Sequence, residues 1–232
     1  DASALECAKE AAGEIRLDIE AAFSQGLPNT PMANSRIRVI SGNFVTARPM
    51  GVHDGVDFQH TGVVRKVDVE ALKFTLASNA LVLLSPLGFS PTGEAFNLTM
   101  EDVACSVAVA LKADKLILIS DTDGVRRRSG ELIPELSADD AERILAAGEV
   151  AEEAAGELGA LLRACRGGVA RSHLISHALD GGVLMELFTH EGVGSMVSAA
   201  DLESLREATA DDVGGILKLI EPLEADGTLV KR

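Results

Sequence analysis

Residues able to do chemistry cluster in a few short stretches. The richest is HLISHALDGGVLMELFTHEGVGSM, where the imidazole of His173 and the carboxylate of Glu186 stand thirteen residues apart and precede Gly192, Gly194 and Met196. A carboxylate and the carbonyls of a glycine turn can together accept a planar fork of donors such as a guanidinium. Taken alone, the same residues read as a satisfied histidine on a buried strand, a solvated carboxylate and an ordinary turn. A second stretch, DTDGV, places Asp121 and Asp123 before Gly124, and reads first as a polar turn in which glycine supplies a positive φ. In a third, NLTMED, Thr99 is placed to cap a helix and Glu101 to sit favourably at the positive end of its dipole, with Asn97 just upstream. Gly88, Pro91 and Gly93 read as turn residues, and His53, His60, His177 and His190 take no role.

The elements that must position these residues follow from periodicity. Asp1 leads into an amphipathic helix with Leu5, Ala8, Ala12, Ile15 and Ile19 on one stripe, closing near Ser24. RIRVISG reads as a strand ended by Gly42, and the alternations broken at HDG and HTG read as a hairpin excursion on the rim of a sheet. VEALKFTLA is a helix, and ALVLLSP and KLILIS are continuous apolar runs of buried-strand length. Thr99 with Asp102, Ser137 with Asp140 and Thr209 with Asp212 form capping boxes. A helical stretch over residues 149–166 is closed by Gly167 and Gly168, and SHLIS and ELFTHEGVGSMV supply the last strands. Strands alternating with helices predict an α/β fold, a three-layer αβα sandwich around a mostly parallel sheet. Its sites then lie beyond the carboxyl ends of strands, in SGN, SPLGFSPTGE, SDTDGV and SHALDGG.

Composition narrows the partners. The chain has 36 acidic and 21 basic residues, a formal net charge of −15, which argues against nucleic acid or an anionic membrane. The basic run at residues 126–128 reads as a solvated loop. No apolar run is long enough to span a bilayer, so a cytoplasmic location is expected. With no Trp or Tyr and seven Phe, the core must be aliphatic. Cys7, Cys105 and Cys165 lack C-x-x-C spacing and read as small buried hydrophobes, so no metal site is expected. The final stretch, LREATADDVGGILKLIEPLE, opens a new strand and a helix that Pro222 stops ten residues before the chain ends, and the first residue is not Met. Both ends look cut.

Taken in order, ISGNFVTARPMGVHDGVDF, LLSPLGFSPTGEAFNLTMEDVA, ALKADKLILISDTDGV, RGGVARSHLIS and ELFTHEGVGSMV resemble the amino-acid kinase fold and, within it, the N-acetylglutamate synthases. Those proteins fuse a kinase-like domain to a Gcn5-related (GNAT) acetyltransferase domain. The resemblance implies a kinase-like domain over residues 1–200, lacking its amino-terminal part, and the first strand and helix of a truncated acetyltransferase domain over 203–232. It implies that the intact protein transfers acetyl from acetyl-CoA to L-glutamate in the first step of arginine biosynthesis.

For the sites, the resemblance implies that His173, Glu186, Gly192, Gly194 and Met196 hold L-arginine as an allosteric inhibitor. Asn97, Thr99, Glu101, Asp121, Asp123 and Gly124 become vestiges of kinase-like substrate and nucleotide loops. Counted back from Gly167 and Gly168, the position where acetylglutamate kinases carry a phosphate-stabilising lysine falls at Glu157, and a carboxylate there repels a transferring phosphoryl group. The chain as given is expected to hold no catalytic residues, no bound cofactor and no metal, and to assemble as a homo-oligomer. An acetylglutamate kinase-like enzyme and a stand-alone arginine-binding module are the rival readings.

Overall fold

The computed structural model describes residues 1–26, 29–30, 33–189, 192–199 and 220. Contacts divide the chain into Asp1–Asp201 and Leu202–Arg232. The Thr209 and Asp212 capping box, and the strand and helix expected over 203–232, lie outside the described residues apart from Ile220.

The first unit opens with α1 (Ala2–Phe23), β1 (Arg38–Ser41), β2 (Val45–Pro49), β3 (Val52–His53), β4 (Val56–Asp57), β5 (Gly62–Val67), α2 (Val69–Ala77) and β6 (Ala80–Leu83). There follow β7 (Leu87–Phe89), β8 (Ala95–Asn97), α3 (Met100–Leu111), β9 (Lys115–Ser120), β10 (Glu135–Ser137), α4 (Ala138–Ala146), α5 (Glu152–Arg166), β11 (Arg171–Ser176), α6 (Gly182–Phe188) and β12 (Ser195–Ser198). The helix starts are set by side-chain caps. Asp1, Asp68, Thr99 and Ser137 accept from the N–H groups of Ala4, Ala71, Asp102 and Asp140. At α3 the reciprocal half of the expected capping box is absent, because Asp102 instead accepts from Val64 N at 2.9 Å and ties the helix to β5.

The strands form mixed sheets. β1 and β6 pair in parallel, and a four-stranded sheet runs β10-β12-β11-β9, with β12 antiparallel to β11 and the other two pairs parallel. The HDG and HTG excursion builds the small β3-β4 hairpin and supplies β2 and β5 of the sheet β5-β2-β7-β8, which β7 and β8 complete as a second antiparallel pair. In the hairpin turn Asp54 and Gly55 both have positive φ, as a tight two-residue turn requires. The antiparallel pairs come from these hairpins and from the short return between β11 and β12. That return contains a helix: ELF, expected in a strand, belongs to α6.

β11 carries the layering. Ser172, His173, Leu174 and Ile175 are all buried in succession, so both faces of the strand are covered. Leu174 joins the core cluster with Leu158, Leu161 and Val197, while His173 turns toward α6. Fully burying side chains such as Leu158, Leu161 and Leu174 contributes ~1.5–3 kcal/mol each. α5 also packs on α3 at close range: a Cβ on Gly167 would sit 2.4 Å from a Val109 methyl. α1 differs from its expectation, since only Leu5 of the stripe is buried and Ile15 is 57% exposed.

Candidate functional site

β11 brings His173 to the middle of the four-stranded sheet, and α6 sets Glu186 directly against it. Nδ1 of His173 and Oε1 of Glu186 are 2.5 Å apart, and both side chains are almost wholly buried. The second carboxylate oxygen accepts from Val193 N at 2.8 Å, which ties the glycine turn back onto α6. Gly192 has φ +60, and a Cβ there would stand 3.1 Å from Glu186 Oε2. Gly194 is more constrained, because its Cβ would lie 2.0 Å from the Leu174 carbonyl oxygen. Met196 lies opposite His173 in the β11-β12 register. His190 and Glu191, at the start of the turn, lie outside the described residues.

Burial pushes the His173 imidazole below its ordinary range, against the opposing pull of Glu186. The ring is therefore neutral near pH 7, and with Nδ1–H donating to the carboxylate, Nε2 carries a bare lone pair. That atom is buried and has no partner among the described residues. Buried polar atoms rarely stay unpaired, so an acceptor of this kind calls for a donor.

Ser195, which no sequence motif singles out, holds the turn in place. Its hydroxyl accepts from Val125 N at 2.8 Å and donates to Ile133 O at 2.6 Å. Through it the DTDGV loop and the GVGSM turn become one structure. Gly124 makes that approach possible, since a Cβ there would sit 2.6 Å from Ser195 Oγ. The only trace in the sequence is a small polar residue between Gly194 and an apolar pair.

The other singled-out residues do not converge on this cluster. Asp121 is exposed and 3.2 Å from His177 Nδ1, and Asp123 pairs with Arg126 at 2.6 Å. Arg126 holds the Asp123 carboxyl below its usual range. Asn97 ends β8 and is exposed; Thr99 caps α3 and Glu101 lies in its first turn. At the carboxyl end of β9, Glu157 accepts from the Ser120 hydroxyl and, at 3.1 Å, from Thr122 Oγ1. Among the described residues, no cluster of His, Cys, Asp or Glu could hold a metal ion. Nor, among them, is any helix long and apolar enough to cross a membrane.

Parallel strand ends, a buried histidine and carboxylate, and a glycine turn on a mixed α/β scaffold define a class. The pattern of the Amino acid kinase family matches residues 1–176, and the chain belongs to that family. It is 63% identical, over its whole length and 51% of the relative's, to an amino-acid acetyltransferase of Ralstonia nicotianae. It is also similar to the N-acetylglutamate synthase of Neisseria gonorrhoeae solved with coenzyme A and L-arginine, at 38% identity and a TM-score of 0.82 over all of this chain and 53% of that one. The same enzyme solved with coenzyme A and N-acetyl-glutamate matches at 39% identity and a TM-score of 0.77, over 99% of this chain and 52% of that one. The chain thus spans about half the length of the curated relatives it matches.

Proposed function

We propose that this chain is the kinase-like regulatory part of an N-acetylglutamate synthase and that it binds L-arginine at the His173 and Glu186 cluster. The intact protein transfers the acetyl group of acetyl-CoA to the amine of L-glutamate, in the cytoplasm, as a homo-oligomer. Residues 203–232 begin its acetyltransferase domain, and arginine acts as an allosteric inhibitor. Support for the activity comes from the acetyltransferase relative and the synthase solved with coenzyme A. Glu157, bonded to Ser120 and Thr122 where a kinase needs positive charge, speaks against phosphoryl transfer.

The observation that carries the arginine site is the unpartnered Nε2 of His173 beside a buried carboxylate. A guanidinium supplies donors to both groups and to carbonyls of the glycine turn, and it has no acceptor of its own to conflict with Val193 N–H. Gly192, Gly194 and Met196 form the rim.

Calorimetric titration with L-arginine, citrulline and L-lysine tests the reading. Arginine binds, while citrulline, which keeps the shape but not the charge, binds far more weakly. A folded Glu186→Gln variant loses affinity by well over tenfold, since breaking a desolvated ion pair costs ~2–5 kcal/mol. Equal arginine affinity in wild type and variant moves the effector site elsewhere.

A further inference from the structure

A cavity of different chemistry is lined by none of these residues. It occupies about 310 Å3 between α1 and the carboxyl ends of the parallel pair β1 and β6, the position where open α/β sheets take ligands. Lys9, Ala12, Gly13 and Arg16 face it, at i, i+3, i+4 and i+7 on one side of the helix. The two small residues leave a notch between two cations, and nothing lies within 4 Å of where a Gly13 Cβ would be.

The opposite wall is polar, with Ser41, Asn43 and Ser85, and the floor is apolar, with Val45, Leu83, Leu84 and Phe89. The Ser41 hydroxyl is buried and without a partner among the described residues. In a chain with 36 acidic residues against 21 basic ones, the described lining of this cavity holds two cations and no carboxylate. Lys9 pairs with Glu6 at 2.6 Å and Arg16 with Glu20 at 3.7 Å. Both acids lie outside the cavity, and all four side chains are at least 40% exposed, so the pairs are weak and exchange readily with another anion.

We propose that this cavity binds a small organic anion, a carboxylate on a short apolar body. The carboxylate sits in the notch between Lys9 and Arg16, the Ser41, Asn43 and Ser85 wall supplies hydrogen bonds, and the apolar body lies on Leu83, Leu84 and Phe89. This site takes the opposite charge from the one at Glu186, so either can fail without the other.

The test is an amide NMR titration of the 15N-labelled chain with butyrate, butyramide and inorganic phosphate. Butyrate gives saturable shifts at Gly13, Gly42 and Asn43, weakened by added salt. Butyramide, isosteric but neutral, binds at least tenfold more weakly, and phosphate, which lacks the apolar body, does the same. The double variant Lys9→Gln with Arg16→Gln loses tenfold or more, and Gly13→Met, which fills the notch on a helix that tolerates it, abolishes the shifts while leaving spectral dispersion intact. Equal binding of butyrate and butyramide overturns the role of the cations, and equal binding of phosphate overturns the organic class. Binding that survives Gly13→Met, or no saturable shift at all, overturns the site.

Discussion

Replacing Glu186 by alanine removes two buried acceptors at once. Oε1 takes the Nδ1–H of His173 and Oε2 takes the Val193 N–H, in a place water does not reach. Each donor left unsatisfied costs ~1–3 kcal/mol, so the pair sums to ~2–6 kcal/mol. Water entering the space vacated by the side chain recovers part of this, which favours the lower half of the range. At ~2–4 °C per kcal/mol for a domain of this size, the melting temperature falls by roughly 4–16 °C. Glu186→Gln keeps one carbonyl oxygen but turns an amide toward the other donor, and its loss is intermediate.

The chain has no Trp or Tyr, so the melts are followed by circular dichroism in the helical band rather than by fluorescence. His173→Phe and the double variant complete a cycle in which directly bonded residues couple by ~0.5–3 kcal/mol. A Glu186→Ala chain melting within about 1 °C of wild type, or strict additivity in the cycle, refutes the buried pair.

Burial lowers the His173 pKa from its ordinary 6.5, so as pH falls below that value the unfolded chain takes up a proton that the native ring refuses. Stability therefore drops on acidification through and below 6.5, and His173→Gln flattens melting temperature against pH across that window. Burial also raises the thiol pKa of Cys105 and Cys165, whereas Cys7 is exposed, so iodoacetamide labels Cys7 alone in the native chain and all three in denaturant; native labelling of Cys105 sinks the placement of α3 against α5. Gly194→Ala puts a Cβ 2.0 Å from a backbone oxygen and costs more than ~4 kcal/mol or prevents folding, while Gly13→Ala, in open space within a helix, gains ~0.5–1 kcal/mol in thermal melts.

What the sequence disclosed depended on how local its cause was. VEALKFTLA became α2 residue for residue, because its cap and its periodicity lie within the segment itself. KLILIS became β9 for the same reason. GVLMELF did not declare itself a helix: at seven residues it spans barely two turns, and a short apolar run has no period to distinguish helix from strand. The exposed stripe of α1 and the division into separate sheets depend on what lies beside each element, which no local pattern encodes. At the candidate site the residue types and the thirteen-residue spacing were legible, and the resemblance assigned them a ligand. That Glu186 is buried, with both oxygens taken by His173 and Val193, was not legible, because it requires α6 to exist and to face β11.

Glu157 carries the proposal that this kinase-like scaffold does not transfer phosphoryl groups. Parallel strands end at Ser120 and Ser176, side by side, where a fold of this kind presents backbone and hydroxyl groups to a ligand. In a phosphoryl-transfer site that position must gather positive charge, since negative charge develops on the transferring group. Here the carboxylate on α5 engages both nearby hydroxyls, Ser120 and Thr122, while Asp121 lies 3.2 Å from His177 Nδ1 and Asp123 pairs with Arg126. Ser120 and Thr122 are thus bonded within the protein, whereas Asp121 stays exposed to solvent. The DTDGV loop is nevertheless kept in register, because Gly124 and Val125 pack on Ser195 of the glycine turn. The loop thus buttresses the turn whose Val193 N–H meets Glu186, so the end of one strand holds the site at the next in shape.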